Sequence, residues 1–204
     1  MRAMSLFGLL SAVALGSLLA AEAGPVVYTV AGGKLATVTV RSVTDLEDIV
    51  TTTNAVSGSI TCDRAKGTGS VSLTVQVKAL DTGIPARNEH LQGEAWLNAA
   101  KFPEISFQST GLKHLQGDEY EITGDFSMRG VTKPVTAKAV VLFRDDEKAV
   151  KLFGGPALKA TADFSIKLSD FGVVQPVVGL KVSDKLDISL SVFGVDKPKA
   201  EPKK

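Results

Sequence analysis

The sequence predicts an all-β fold: one domain, built as a single eight-stranded antiparallel β-barrel with one or two short helices around residues 85–100. Three observations predict it. Apolar side chains recur at every second position in segment after segment, the period of a strand with one face buried. Turn-forming runs such as DRAKGTGS, QGDE and RDDE separate these segments, and almost no helical periodicity intervenes. One-sided strands must also hide their apolar face, and closing the sheet into a barrel does so while removing its exposed edges. A two-sheet sandwich satisfies the same pattern and stays open as the rival.

The elements follow in chain order. Arg2 precedes an apolar run from Leu6 to Ala21, and Ala21-Glu22-Ala23 supplies a small-x-small cleavage pattern, so residues 1–23 are read as a secretory signal peptide. The run is short against the roughly 20 residues of a membrane-spanning helix. The barrel domain is expected over residues 24–193. YTVAGGKLATVTVR and AVSGSITCD open it as strands, and the second places Val56, Gly58, Ile60 and Cys62 on one face. Cys62 therefore reads as a small buried hydrophobe. As the single cysteine it cannot form an internal disulfide, and packing alone must hold the fold.

SVSLTVQVKA alternates Val71, Leu73, Val75, Val77 and Ala79 against polar neighbours. The alternation stops between Ile84 and Pro103, where Pro85 can open a helical turn, Gly93 interrupts it, and Glu94–Ala100 are good helix formers. Strands resume with EISFQST (Ile105, Phe107), YEITGDFSMRG (Tyr120, Ile122, Phe126, Met128) and KPVTAKAVVLFRD (Val135, Ala137, Ala139, Val141, Phe143). TADFSIKLS (Ala162, Phe164, Ile166, Leu168) and KLDISLSV (Leu186, Ile188, Leu190, Val192) complete the set. The Lys- and Pro-rich end, residues 194–204, predicts a disordered tail.

Chemistry is sparse. The formal net charge of +1 offers no broad basic field for nucleic acid. His90 lies near Arg87, Glu89 and Glu94, but His114, the other of two histidines, falls in a different element, so no metal-ligand spacing arises. The chain has no Gly-x-Ser-x-Gly elbow, no CxxC, no HExxH and no phosphate-binding glycine loop. The residues point away from an enzyme, and neither a catalytic residue, a metal nor a cofactor is expected.

One stretch carries a resemblance. ALDTGIPARNEHLQGEAWLNAAKFPEISFQST is similar to the signature of the YceI family, which runs Ile/Leu-Asp-Thr-Gly, then Arg-Asp/Asn-x-His-Leu, then Tyr/Phe-Pro-x-Ile-x-Phe. GDFSMRGVTKPVTAKA (residues 124–139), DFG (170–172) and VGLKVSDKLDISLSV (178–192) resemble its later motifs in the right order, and the likeness covers roughly residues 27–193. Three departures stand out, one being Phe126 after Gly124-Asp125, where the family has an aliphatic residue. Ala31-Gly32-Gly33-Lys34-Leu35 replaces the Asp-x-x-His-Ser element common on the first strand, and Arg129 stands where His is frequent.

The resemblance implies a lipocalin-like barrel, exported to the bacterial periplasm, that holds a polyisoprenoid or other long-chain lipid as carrier or sequestering protein. Alternation then nominates the lumen surface: Val75, Val77, Trp96, Phe102, Ile105, Phe107, Ile122, Phe126, Met128, Phe143, Phe164 and Ile188. Arg87 and His90 are the candidates for a lipid head group. Monomer and homodimer are both compatible with the sequence, as is transient contact with a membrane surface. The competing expectation is an envelope stress-associated interaction protein whose barrel is filled and carries no lipid.

Overall fold

Closure of the sheet is achieved by two strands that are each broken in the middle. The computed structural model describes residues 24–196; the expected leader at 1–23 and the tail from residue 197 lie outside the described residues. The strands are β1 (Val26–Val30), β2 (Thr37–Val43), β3 (Asp48–Thr53), β4 (Val56–Asp63), β5 (Thr68–Gln76), β6 (Glu104–His114), β7 (Glu119–Met128), β8 (Val131–Arg144), β9 (Ala157–Lys167) and β10 (Lys185–Val195). Two α-helices accompany them, α1 (Pro85–Gln92) and α2 (Glu147–Phe153).

β1 and β2 lie end to end along β10: Thr29 and Val30 pair with Val195 and Gly194, and Thr37–Arg41 pair with Ser191–Asp187. β4 pairs with β1 and β3 with β2, so these two also form one interrupted stave. From β4 onward each strand pairs antiparallel with the next through β10. Ten strands among the described residues therefore make eight staves of a closed antiparallel barrel, and the sandwich is excluded. One end carries α1 and the connection 168–184; the other carries α2 and the short turns after β4 and β6.

Three features differ from the expected elements. YTVAGGKLATVTVR is not continuous, because residues 31–36 leave the ladder and fold against the matching break at Asn54–Ala55, where Gly33 N–H donates to Asn54 O at 2.9 Å. A Cβ on Gly32 would stand 2.6 Å from that same carbonyl oxygen, so the two breaks fit together only because the residue is glycine. β3 was hidden because its inward residues include buried Thr51 and Thr53, while Val50 faces solvent: its polarity is inverted. α2 lay in a stretch expected to be a turn. It starts where the Asp146 carboxylate accepts from Ala149 N–H at 3.1 Å and ends at left-handed Gly154, with Phe153 packed 4.5 Å from the Phe193 ring.

Around residues 85–100 there is one helix. After Gly93 the chain turns back on α1, with Leu97, Asn98 and Ala99 N–H groups donating to the carbonyls of Leu91, Gly93 and Gln92, and Asn98 adopts a φ of 50°. This burial of Leu97 and Ala99 outweighs the helix propensity of Glu94–Ala100. At the other boundary, β10 continues through Val195, beyond residue 193, because Gly194 and Val195 are held by β9 on one side and β1 on the other.

Candidate functional site

The barrel is not filled. A cavity of about 550 Å³ occupies the lumen and is lined by inward side chains from every stave. Its space comes from small residues on two neighbouring staves: Ala137 and Ala139 on β8, and Ala160 and Ala162 on β9, all lining the lumen. Ala139 pairs directly with Ala162 in the ladder, and Val141 with Ala160. Because the backbone groups of the staves bond to one another around the ring, the wall stands without needing side chains to meet across the middle.

Ten of the twelve nominated residues line this cavity: Val75, Trp96, Ile105, Phe107, Ile122, Phe126, Met128, Phe143, Phe164 and Ile188. Phe126 sits edge-on to Phe164 and Phe171, at 5.7 and 5.6 Å between ring centres. The structure places Val77 and Phe102 elsewhere. β5 ends at Gln76, and Val77 begins a 3-10 turn, fully buried, with its N–H donating to Pro103 O at 2.9 Å. Phe102 turns away to cover Gly130, where an added Cβ would stand 2.6 Å from its ring. Alternation fails at both because neither residue is in a strand.

Sequence reasoning missed lining residues of three kinds. Ser42 and Thr51 bring hydroxyl groups to the wall from β2 and β3, where polar inward positions masked the pattern. Leu112 lines the lumen because a bulge between Ser109 and Gly111 shifts β6 by one residue and reverses its facing. Lys181 enters from the long connection before β10, which has no period to read.

At the α1 end Arg87 and His90 both reach the cavity rim, as does Glu47 in the turn between β2 and β3. Arg87 donates to the Glu47 carboxylate, so its charge is already matched, and the pair straps α1 to that turn. Asn88 accepts from Thr82 N–H at 2.8 Å and donates to Asp81 at 2.7 Å, which holds the Asp81 carboxyl below its ordinary range. His114 lies at the far end, its ring Nε2 2.7 Å from Gly117 O, so the two histidines do not meet.

The α2 end is lined by Cys62, Asp63, Arg64, Thr68, Asp118, Tyr120 and Phe143. Arg64 lies 4.5 Å over the Phe143 ring and donates to Asp145 at 2.8 Å; that hydrogen bond holds the Asp145 carboxyl below the usual carboxylate range. Asp63 is buried, accepts from Lys66 N–H at 3.0 Å and pairs with its ammonium at 3.4 Å. Burial pushes the Cys62 thiol up, so it stays protonated on the lumen wall. The arrangement is an apolar tube with charged side chains at each end, Glu47, Arg87 and Lys181 at one and Asp63, Arg64 and Asp118 at the other.

Residues 28–193 match the family described as the YceI-like domain. A stretch of 125 residues is 36% identical to Protein YceI of Salmonella arizonae, and equally to that of Salmonella newport, covering 61% of this chain and 62% of the relative. The match thus spans less than two thirds of these relatives' length. Among solved structures, BcnA of Burkholderia cenocepacia superposes with a TM-score of 0.67 at 22% identity, over 78% of this chain and 95% of that one. The Campylobacter jejuni YCEI protein gives 0.64 at 19%, over 76% and 88%. A polyisoprenoid binding domain from Saccharophagus degradans, implicated in plant cell wall breakdown, gives 0.61 at 12%, over 84% and 99%. At such identities the likeness is one of fold.

Proposed function

Since the chain belongs to the YceI-like family, we propose that it is an exported lipid-binding protein that takes a long apolar chain, a polyisoprenoid or similar lipid, into the barrel lumen as a carrier or sequestering protein. It acts without catalysis or cofactor, and the periplasm is its compartment. The observation that carries the reading is the open lumen of about 550 Å³, within the roughly 300–1,000 Å³ of small-molecule sites and walled by Val, Leu, Ile, Phe and Ala. The polyisoprenoid binding named for the Saccharophagus degradans domain of like fold supports it.

The energetics suit such a cargo. Each CH2 transferred from water to the lumen contributes about 0.8 kcal/mol. Ten such groups therefore yield about 8 kcal/mol, enough to offset the lower part of the roughly 4–15 kcal/mol lost in association. Longer chains gain more, so affinity should climb with chain length until the lumen is full. A filled barrel acting only through its surface would have side chains meeting across the space that Ala139 and Ala162 leave open.

The test is native mass spectrometry of the protein purified without detergent, followed by organic extraction. A stoichiometric mass increment that extracts as a prenyl or acyl lipid is the expected result. A bare polypeptide mass, unchanged after incubation with a lipid extract, would overturn the reading.

A further inference from the structure

We propose that the α1 end of the barrel docks on a phospholipid bilayer, an inference that rests on the lipid-binding reading and adds the surface from which cargo enters. Three separate connections surround the lumen opening here, and each presents a bare apolar side chain to solvent. Leu46 tips the turn between β2 and β3, Ile84 precedes α1, and Val174 and Leu180 stand on the connection 168–184; they are 64%, 46%, 76% and 56% exposed. The connections are tied to one another: Arg87 to Glu47, Gln175 to Ala95 O at 2.9 Å, and Ser183 N–H to Ser42 at 2.8 Å. The tips therefore form a fixed rim around a hole.

The rim's chemistry selects its occupant. Its apolar tips are continuous with the apolar lumen, through Leu91, Trp96, Val177 and Val182 on the inner side. Lys181 follows Leu180, lines the opening and forms no ion pair among the described residues, so its ammonium is free to reach a lipid phosphate while Leu180 enters the acyl boundary. Asp45 beside Leu46 keeps the rim from being a cationic field, so attachment depends on the apolar tips and changes little with salt. A second copy of the chain seated here would close the entrance that a lipid, insoluble in water, has to use. At the opposite mouth Leu115, Val150 and Leu152 are exposed as well, but none of them adjoins the cavity, α2 contributes nothing to the lumen lining, and the lining residue Arg64 is pinned to Asp145, so no apolar path runs from those side chains into the lumen.

The experiment is co-sedimentation of the purified chain with vesicles of phosphatidylcholine and phosphatidylglycerol, alongside uptake of geranylgeraniol from solution read by the fluorescence of Trp96, the single tryptophan. The triple variant L46S/V174S/L180S should lose vesicle binding by at least about tenfold, as removal of buried apolar area requires, yet take up the alcohol like the parent. Leu115→Ser, exposed at the other end, should leave vesicle binding unchanged. Uptake of the alcohol with no vesicle binding by the parent, or undiminished binding by the triple variant, overturns docking alone. Failure of both uptake and binding overturns the lipid reading beneath it. A parent that ignores vesicles but is dimeric, and becomes monomeric on the triple substitution, overturns docking and assigns the rim to a second copy.

Discussion

Two neighbouring parts of the lumen wall are built on opposite plans. On β6 and β7, Phe107 and Phe126 face each other across the ladder, and Phe126 is held by Phe164 and Phe171. On β8 and β9, the paired residues are Ala139 and Ala162, which reach almost nowhere. The aromatic wall consolidates the fold at the α1 end, and the alanine wall leaves the space. Whether this barrel is hollow is thus a matter of which residues occupy equivalent inward positions, not of strand number.

The comparison predicts different penalties on the two walls. Phe126→Ala should cost about 3–5 kcal/mol in stability, measured by denaturant unfolding, because a buried ring and its two edge-on contacts with Phe164 and Phe171 are lost at once. A cost below about 1 kcal/mol would show that the aromatic wall is not a stabilising element. Filling the other wall should act on binding instead. Ala139→Phe with Ala162→Phe should weaken lipid binding by about a hundredfold, since the rings take up lumen volume that the chain would occupy. Circular dichroism should stay that of a β-barrel, and equal affinity in the double variant would place the cargo elsewhere. Lipid at 100 times the parent's Kd should then raise the parent's unfolding free energy by about 2.7 kcal/mol and that of the filled variant by only about 0.4 kcal/mol.

Cys62, on the lumen wall toward the α2 end, offers a finer probe. Its burial-raised pKa predicts slow alkylation by iodoacetamide at pH 8, slower again once lipid is loaded, as followed by intact mass. A rate indifferent to lipid would mean that the chain does not extend to that end. The smallest effect is expected at the Arg64–Asp145 pair. The Asp145 carboxyl sits below its ordinary range when folded, so the pair's contribution is present above the unfolded pKa and disappears as pH falls through the folded one. Arg64→Ala should bring the Asp145 titration seen by NMR back up; no change would detach the two residues.

Much of this architecture was legible because a strand with one wet face writes its period into the chain. The inward phases of β7, β8, β9 and β10 follow directly from alternation, and the stretch around Arg87, His90 and Phe107 carries the family likeness. The misreadings share a cause: each depends on a contact distant in sequence. β3 hides hydroxyls inward because its Thr52 is bridged to Asp81; β6 reverses at an unpaired Thr110; Val77 and Phe102 are pulled out of phase by Pro103 and Gly130.

By itself, then, the sequence determined the strand class, the eight-stave count and a lumen wall of small and large apolar residues, because these follow from local periodicity and side-chain volume. The tertiary structure alone decided that the small residues align as Ala139 against Ala162, so that their missing volumes merge into one cavity. It also decided that the apolar tips Leu46, Ile84, Val174 and Leu180 gather around a single mouth. Register and loop placement are set by pairings between distant residues, which no local pattern specifies.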